Sequence, residues 1–222
     1  MSIDQELTGA EIVLEALKDQ EVDTIFGYPG GAVLPIYDAL FGQNFLKHVL
    51  VRQEAGAVHA AEGYARSSGK VGVLLVTSGP GVTNVVTGLT DALMDSIPIV
   101  CFSGQVPSHL IGTDAFQECD TTGITRPCTK HNYLVKDITK LPEIIHEAFE
   151  IARSGRPGPV LIDIPKDIQF AKSVYKKKSD VTFKSHRIKS GSKDIDRVFI
   201  EKLINHIRNS QKPVFYVGGG CL

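Results

Sequence analysis

Residues 71–77 (VGVLLVT) constrain the fold most strongly, because nearly every position in this run is apolar. A strand of this composition usually has both faces covered, as in a parallel sheet flanked by helices. Residues 98–103 (PIVCFS) form a second run of the same kind. Segments with apolar residues at helical spacing alternate with such strands over residues 5–170. The alternation predicts an α/β fold, a parallel sheet with right-handed crossovers and helices on both faces.

Capping and turn signals place the individual elements. Thr8-Gly9-Ala10-Glu11 is a capping box at the start of the first helix, and Gly42 and Gly69 end two later helices. Helices are predicted at residues 8–20, 33–41, 54–67, 81–94 and 141–154. Strands are predicted at residues 24–27, 48–51, 71–77, 98–103, 133–135 and 160–164. Residues 104–129 are predicted to be irregular or short-helical, and such loops often carry function.

The composition changes after residue 170, which divides the chain. Residues 171–193 are rich in Lys and Ser and poor in apolar residues, so we expect an exposed linker. Residues 194–208 have the pattern of an amphipathic helix, and residues 213–217 that of a strand before Gly218-Gly219-Gly220. One helix and one strand cannot bury a core. We therefore expect a first domain at 1–170 and the truncated beginning of a second α/β domain at 194–222.

Composition also excludes several classes of function. Lys plus Arg number 24 and Asp plus Glu 25, so the chain lacks the basic excess of a nucleic-acid-binding protein. No apolar run reaches membrane-spanning length, and residues 1–7 have neither a signal nor a transit pattern. Cys101, Cys119, Cys128 and Cys221 lack metal-ligand spacing and are interpreted as unpaired thiols in a reducing compartment. We expect a cytoplasmic protein, although a plastid-encoded one would look the same.

The turn Ser78-Gly79-Pro80-Gly81 joins a buried strand to a helix and superficially resembles a phosphate-binding loop. Against the dinucleotide pattern GxGxxG, Asn84 replaces the third glycine, and no acidic residue follows at the required distance. It also lacks the Gly-Lys-Ser/Thr of a Walker A loop. We therefore interpret it as a tight turn that lets the helix pack close to the sheet, with NAD binding as an alternative.

Glu54 lies where a strand ends and a helix begins, which is the usual ligand-binding edge of an open parallel sheet. The helix that follows has small residues at many positions, so another backbone can approach it closely. Taken alone, Glu54 is most simply a carboxylate that stabilises a helix N-terminus. His59 on the same helix is, by itself, more often a packed or exposed histidine than a catalytic one.

Six segments closely resemble the pyrimidine-binding domain of acetolactate synthases, in the N-terminal part of the large catalytic subunit of this thiamine-diphosphate-dependent family. They are residues 27–40, 51–66, 77–84, 104–107, 114–118 and 155–166. They occur in the family's order and at family-like spacing. Each segment is weak alone, but six in register are highly specific.

The resemblance implies a role for Glu54 in activating thiamine diphosphate. In the family, a glutamate at this position hydrogen-bonds N1′ of the aminopyrimidine, and N4′ of the cofactor then removes the proton at C2. A carboxyl in this role must be sequestered from water so that it can share a proton with the heterocycle. The protein therefore supplies binding and orientation, and the cofactor supplies the carbanion chemistry.

The resemblance assigns further residues to the thiamine site. Tyr28, Pro29, Gly30 and Gly31 are expected to lie against the pyrimidine. Gln117 is expected near the reacting carbon, where it would orient the keto acid. Phe116 and Lys166 are expected at the active-site channel, although a solvated lysine is an equal alternative for Lys166.

Two further cofactors are implied. Ser96 and Arg156, together with Gly218 and Gly219, match positions that contact FAD, which would be a structural ligand rather than a redox participant. An exposed turn residue is the alternative reading of Arg156. The family holds its Mg²⁺ through a Gly-Asp-Gly motif, which is absent from these 222 residues. We therefore expect the Mg²⁺ site to lie outside this chain and this chain alone to be inactive.

The family reaction decarboxylates pyruvate and condenses the two-carbon unit with a second 2-keto acid, pyruvate or 2-ketobutyrate. The products lead to valine, leucine and isoleucine. Since the pyrimidine site forms between subunits in the family, a homodimer or homotetramer is expected, with a possible small regulatory subunit. Alternatives are another thiamine-diphosphate enzyme, such as pyruvate oxidase or glyoxylate carboligase, and a non-catalytic truncated partner of full-length subunits.

Overall fold

Six parallel strands in the spatial order β3-β2-β4-β5-β7-β6 form the main sheet, in a computed structural model that describes residues 6–180 and 196–221. A separate two-stranded antiparallel sheet pairs β1 with β8. The strands are β1 (Glu6–Thr8), β2 (Thr24–Gly27), β3 (Lys47–Leu50), β4 (Gly72–Val76), β5 (Ile99–Gln105), β6 (His131–Leu134), β7 (Pro159–Pro165) and β8 (Lys172–Val174). The predicted parallel α/β fold is confirmed.

Nine α-helices accompany these strands in the described residues. They are α1 (Gly9–Asp19), α2 (Leu34–Phe41), α3 (Glu54–Ser68), α4 (Pro80–Asn84), α5 (Val86–Asp95), α6 (Thr121–Thr125), α7 (Leu141–Arg153), α8 (Lys166–Phe170) and α9 (Arg197–Asn209). The capping box at Thr8 and Glu11 forms as predicted, and Gly69 ends α3 with a φ of 72°. Two of the predicted helix boundaries thus follow from local sequence signals.

Side chains alternate across the sheet, so each central strand contributes to two hydrophobic cores. Val73 and Leu75 of β4 pack with α1, α2 and α7 on one face. Leu74 and Val76 pack with α3 and α5 on the other face. All five residues of β4 and all seven of β5 are buried, as expected for strands covered on both sides.

The helices after β2 and β4 lie on opposite faces of the sheet. The chain leaves β2 through α2, which packs in the core shared with α1 and α7. It leaves the neighbouring β4 through α4 and α5, on the side of α3. The gap between the carboxyl ends of β2 and β4 is therefore a topological switch point, where open α/β sheets bind ligands.

Local structure differs from the prediction in one helix and in three unpredicted elements, β1, β8 and α8. The single helix predicted at 81–94 is broken at Val85 into α4 and α5. Strand β8 and helix α8 were not predicted, and β8 lies inside the segment expected to be a linker. Both are short elements, and β8 is stabilised by its pairing with β1, a contact that is remote in sequence.

The chain divides into two units, residues 1–183 and 184–222. In the second unit, Asp196 caps the N-terminus of α9 by accepting hydrogen bonds from two backbone amides. The strand predicted at 213–217 is wrong, because these residues pair with no strand in the described chain. The remainder of the expected linker, residues 181–193, lies outside the described residues, as do residues 194 and 195. Within the described parts, no helix has the length and apolar character needed to span a membrane.

Candidate functional site

The loops that follow the parallel strands meet at one edge of the main sheet, which we call the carboxyl edge. Residues 28–31 follow β2, Glu54 follows β3, and residues 77–81 follow β4. The loop at 106–120 follows β5, and Lys166 follows β7. The predicted thiamine-site residues therefore follow four strands of the sheet and lie at the switch point and its flanks, with the turn at 77–81 between them.

Glu54 is the first residue of α3 and is buried, with 8% of its surface exposed. Its Oε2 atom accepts a hydrogen bond of 2.9 Å from the side-chain amide of Asn84, at the end of α4. A Cβ atom at position 81 would lie 3.5 Å from the other carboxylate oxygen, Oε1, at ordinary van der Waals contact, so Gly81 lies directly beside that oxygen. The structure therefore gives Glu54 the sequestered position that its proposed chemistry requires.

Thr77 fixes the loop after β2 against the turn after β4. Its hydroxyl accepts a hydrogen bond of 3.3 Å from the amide of Ala32. A Cβ atom at position 30 would lie 2.5 Å from the Thr77 side chain, and one at position 81 would lie 2.8 Å from it. Glycine at position 30 is therefore required for the two loops to approach, and glycine at position 81 lets the turn after β4 close on its own Thr77 side chain. Thr77 lies inside a segment used for the resemblance, but its role was not predicted.

Gln169 of α8 supports the same loop from the other side. This residue is fully buried, and its amide donates to the carbonyl oxygens of Ala32 at 2.7 Å and Ile164 at 2.9 Å. Gly104 completes the contact, since a Cβ atom there would lie 2.5 Å from the Ala32 carbonyl oxygen. Sequence reasoning missed Gln169. Its only signal was a polar residue in a short segment next to a buried strand.

Gln117 lies on an exposed loop whose backbone is pressed against the turn at Gly79. Both residues have positive φ, 57° for Gln117 and 52° for Gly79. A Cβ atom at position 79 would be only 2.5 Å from the carbonyl oxygen of Gln117. This contact explains the glycine at 79 as a site of close backbone approach, in line with a tight turn rather than a phosphate loop.

The side chain of Glu118 closes this exposed loop. Its carboxylate accepts hydrogen bonds from the amides of Gly112 and Ala115, the latter at 2.9 Å. The bond from Gly112 is the main cause that lowers the pKa of Glu118, and that from Ala115 adds to it. Phe116 is 87% exposed at the tip of the same loop. The loop therefore presents Phe116 and Gln117 outward from the carboxyl edge.

A buried polar network lies beneath this loop and was not predicted. Asp163 of β7 accepts hydrogen bonds from the Ser103 hydroxyl at 2.7 Å and the Gln105 amide at 2.9 Å. Gln105 also donates to the Cys119 carbonyl oxygen at 3.0 Å, which ties the loop to β5. Burial raises the pKa of Asp163 to about 7, although the hydrogen bonds oppose this shift.

Lys166 is the first residue of α8 and is half-buried. The neighbouring Asp167 accepts hydrogen bonds from the amide and hydroxyl of Ser108, at 2.9 and 3.0 Å. These bonds join α8 to the start of the loop that carries Gln117. No hydrogen bond links Glu54 to Gln117 or to Lys166 within the described residues.

Ser96 and Arg156 meet at the opposite edge of the sheet, the amino edge, where the strands begin. The Nε of Arg156 donates to the Ser96 hydroxyl at 2.8 Å, and Nη2 donates to the carbonyl oxygens of Leu93 and Met94. Ser96 itself has a left-handed backbone with a φ of 61°. The two predicted flavin residues are thus brought together, away from the edge that carries Glu54. Gly218 and Gly219 lie in the second unit.

Three of the four cysteines are free thiols, Cys101, Cys119 and Cys128. Cys101 and Cys128 are buried, and burial raises the pKa of the Cys101 thiol far above its usual range. These features agree with the interpretation of unpaired thiols. The side chain of Cys221 lies outside the described residues.

The chemistry of the carboxyl edge fits an aminopyrimidine ring. A buried carboxyl is held at one oxygen by an amide, and Gly81 lies beside its other oxygen. Such a carboxyl can exchange a proton with a ring nitrogen in a site that excludes bulk water. The same edge has no Walker A lysine, so a nucleotide phosphate would find fewer partners here than a heterocycle.

Comparison with known proteins gives one family match and many relatives. Residues 7–124 match the family model described as thiamine pyrophosphate enzyme, N-terminal TPP binding domain. The chain is 51% identical over 219 residues to the chloroplastic acetolactate synthase of Arabidopsis thaliana, covering 99% of this chain and 32% of that protein.

Two further relatives give the same result. The mitochondrial acetolactate synthase catalytic subunit of Saccharomyces cerevisiae is 52% identical over 220 residues, covering 97% of this chain and 32% of that protein. The acetolactate synthase isozyme 2 large subunit of Escherichia coli is 49% identical over 219 residues, covering 96% of this chain and 38% of that protein. The chain thus spans about a third of the length of the curated relatives it matches.

Proposed function

The chain belongs to the family of thiamine pyrophosphate enzymes, and on that premise we propose that it forms the pyrimidine-binding part of an acetolactate synthase. Identities of about half over nearly the whole chain to synthases of plants, fungi and bacteria support the assignment. Because the relatives are about three times longer, the activity is proposed for the full protein. The 222 residues alone are proposed to be inactive.

The proposed reaction is the decarboxylation of pyruvate and the transfer of the remaining two-carbon unit to a second 2-keto acid. With pyruvate as acceptor the product is 2-acetolactate, and with 2-ketobutyrate it is 2-aceto-2-hydroxybutyrate. When bound, thiamine diphosphate supplies the stabilised carbanion that this chemistry needs. The chain's own residues bind and orient the pyrimidine and move a proton at its N1′.

The burial of Glu54 at the switch point is the observation that carries this proposal. A carboxyl with 8% exposure can share a proton with N1′ without competition from bulk water. The Asn84 amide holds Oε2 at 2.9 Å and so fixes the orientation of the carboxyl. The second oxygen, Oε1, lies beside Gly81 and is proposed to face the ring. Glu54 is therefore proposed as the group that exchanges a proton with the pyrimidine.

The neighbouring loops are proposed to complete the site. Residues 28–31 would lie against the pyrimidine, where Gly30 lets the backbone approach closely. Gln117 would orient the keto acid, since its loop is clamped to the turn at Gly79 but faces outward. Phe116 and Lys166 would line the approach for substrate. The high exposure of Phe116 favours a site that is covered by a second subunit, so a homodimer or homotetramer is proposed.

FAD and Mg²⁺ are proposed for the full protein. Ser96 and Arg156, at the amino edge, are proposed as FAD contacts of the first unit. Gly218 and Gly219 are proposed as FAD contacts of the second unit. Because that edge is opposite to the one carrying Glu54, a flavin there would act as a structural ligand rather than in the chemical step. Mg²⁺ is proposed to be held by residues outside this chain.

The test is exchange of the C2 proton of thiamine diphosphate for deuterium, measured by NMR on the full-length protein that carries this chain. Replacing the proton-sharing carboxyl in Glu54→Gln should slow exchange by about 10²–10⁴-fold. The matched control is Glu150→Gln, which changes an exposed glutamate of α7 and should leave exchange unchanged. An unaltered rate in Glu54→Gln would overturn the role of this residue.

The rival thiamine enzymes are separated by their products. Full-length protein is supplied with pyruvate, with and without an electron acceptor, and the products are identified. Formation of acetolactate without an acceptor supports the proposal, whereas acetyl phosphate or peroxide would support a pyruvate oxidase. A protein that only joins full-length subunits into a mixed complex on size exclusion, without turnover, would support the non-catalytic alternative.

A further inference from the structure

We propose that His59, Glu62 and Asp91 form a binding site for one divalent transition-metal ion between helices α3 and α5. One ligand atom from each of the three residues lies within 4.8 Å of the other two. The cluster is not part of the thiamine site described above. It belongs to the first unit, and two of its residues, His59 and Glu62, follow Glu54 along helix α3.

The sequence brings these residues together in two steps. His59 and Glu62 are three positions apart on α3, so they share one face of the helix. Gly88 then allows α5 to approach this face, since a Cβ atom there would lie 2.2 Å from the Val58 side chain. This close helix contact places Asp91, one turn after Gly88, beside the α3 pair.

Glu62 provides the independent sign of a missing partner. Only 4% of its surface is exposed, and its Oε2 atom is 2.7 Å from Nδ1 of His59. Its other oxygen, Oε1, is buried and has no hydrogen-bond partner among the described residues. A buried carboxylate oxygen without a partner costs roughly 1–3 kcal/mol or more, so native proteins rarely leave one. A cation at this point would satisfy it.

The local charges favour a cation. Glu62 and Asp91 together carry two negative charges when ionised, and a divalent ion would balance them. Arg66, one turn further along α3, donates to Asp95 with Nη2 at 2.5 Å from the carboxylate, and it also attracts Glu62 and Asp91 electrostatically. Three carboxylates therefore surround this one guanidinium, and His59 would supply the nitrogen ligand of the cluster.

The ligand set selects the class of metal. One imidazole nitrogen with two carboxylate oxygens is a set that suits Zn²⁺ and neighbouring first-row ions better than Ca²⁺. Two ligand atoms at about 2.1 Å on a tetrahedral ion are about 3.4 Å apart. His59 Nδ1 now contacts Oε2 of Glu62 at 2.7 Å, so its ring must move slightly for the nitrogen to share an ion with Oε1. His59 can accommodate this, because its side chain is half exposed.

The ion would join α3 and α5, two helices whose N-terminal ends lie near Glu54. Helix α3 begins at Glu54, and α5 follows Asn84, the residue that donates to Glu54. A metal bridge near the middle of both helices would hold them at a fixed separation. The site would therefore be structural, and its occupancy can be measured without any turnover.

The experiment titrates Zn²⁺ into the chelator-treated 222-residue chain by calorimetry, with Co²⁺ absorption as a second measurement. The wild type should bind one equivalent, and Co²⁺ should show the visible bands of a low-coordinate site. His59→Gln and Asp91→Asn should each weaken binding by at least about tenfold. Circular dichroism checks that each variant is folded.

Two control variants identify the binding site. Glu150→Gln changes an exposed glutamate of α7, on the other face of the sheet, and Cys119→Ser removes a partly exposed thiol. Both should keep the wild-type affinity. The proposal is overturned if the wild type binds no Zn²⁺, if His59→Gln and Asp91→Asn bind as tightly as the wild type, or if Cys119→Ser abolishes binding. None of these outcomes depends on thiamine chemistry, so failure here leaves the proposed function intact.

Discussion

The two edges of the main sheet use polar residues in opposite ways. At the amino edge, basic side chains complete the ends of helices. Arg156 donates to the last carbonyl oxygens of α5, and Lys130 donates to those of Ile151 and Ser154 at the end of α7. At the carboxyl edge, Gly30 and Gly79 let neighbouring loops pack together, and the carboxyl of Glu54 is buried at the same edge.

The difference teaches where chemistry can be placed on this fold. Cations at the amino edge are largely engaged by helix carbonyls, a stabilising arrangement that favours the helix dipole. At the carboxyl edge the backbone is fixed by close contacts, so side chains such as Glu54 can be directed at a ligand. The same strands therefore have one edge that supports the fold and another that can serve a cofactor.

The largest expected effect concerns two aspartates with opposite pKa shifts. Asp163, beneath the carboxyl edge, has a pKa raised to about 7, mainly by burial. Its folded form holds a proton that its unfolded form loses near pH 4, so its contribution to stability is lost as the pH rises through this window. Compared with Asp163→Asn, the wild-type free energy of unfolding should fall by up to about 4 kcal/mol between pH 4 and 7.

Asp23, at the amino edge, is the opposite case. Hydrogen bonds from Lys70 and Tyr64 lower its pKa to about 2. Its contribution is therefore present above pH 4 and is lost as the pH falls towards 2. Urea denaturation at a series of pH values, compared with Asp23→Asn, measures this. The contrast between Asp163 and Asp23 would be wrong if both aspartates changed the free energy of unfolding in the same direction as the pH rises.

A medium effect is expected for adjacent glycines at the carboxyl edge. Gly30→Ala places a Cβ atom 2.5 Å from the buried Thr77 side chain, whereas Gly31→Ala meets nothing within 4 Å. The first substitution should lower the free energy of unfolding by about 2–3 kcal/mol, and the second by less than about 0.5 kcal/mol. Urea denaturation of both variants is the measurement. Equal effects would mean that the loops are not packed as described.

The smallest effect is expected at the amino edge. Arg156→Ala removes three hydrogen bonds at an exposed position and should cost about 1 kcal/mol, because such bonds largely replace bonds to water. The exposed Arg126→Ala serves as control and should change stability by less than about 0.5 kcal/mol. Thermal unfolding of the two variants measures the difference. If Arg156→Ala lowered the free energy of unfolding by more than Gly30→Ala does, the two edges would not differ in the way described.

Much of the fold could be predicted because its signals are local. The apolar run at 71–77 identified a buried strand, the Thr8 capping box began α1, and Gly69 ended α3. The prediction at 213–217 was wrong because a strand needs a neighbour, which a single apolar run cannot reveal. Strand β8 was missed for the same reason, since its partner β1 is remote in sequence.

The candidate site shows a similar division. The resemblance selected Glu54, and the structure places it in a buried position at the carboxyl edge. The supporting residues Thr77, Asp163 and Gln169 were not predicted, because their partners come from distant parts of the chain. Sequence spacing predicts which elements form, whereas tertiary packing decides which side chains hold them together.

Thr77 has a consequence for how this protein can change over generations. Its side chain lies against both Gly30 and Gly81, and its hydroxyl also accepts the amide of Ala32. A mutation that enlarges Gly30 would force the Thr77 side chain to move and would disturb the hydroxyl that accepts the Ala32 amide. The two loops are therefore inherited as a pair, and lineages that diverge at one of them must compensate at the other.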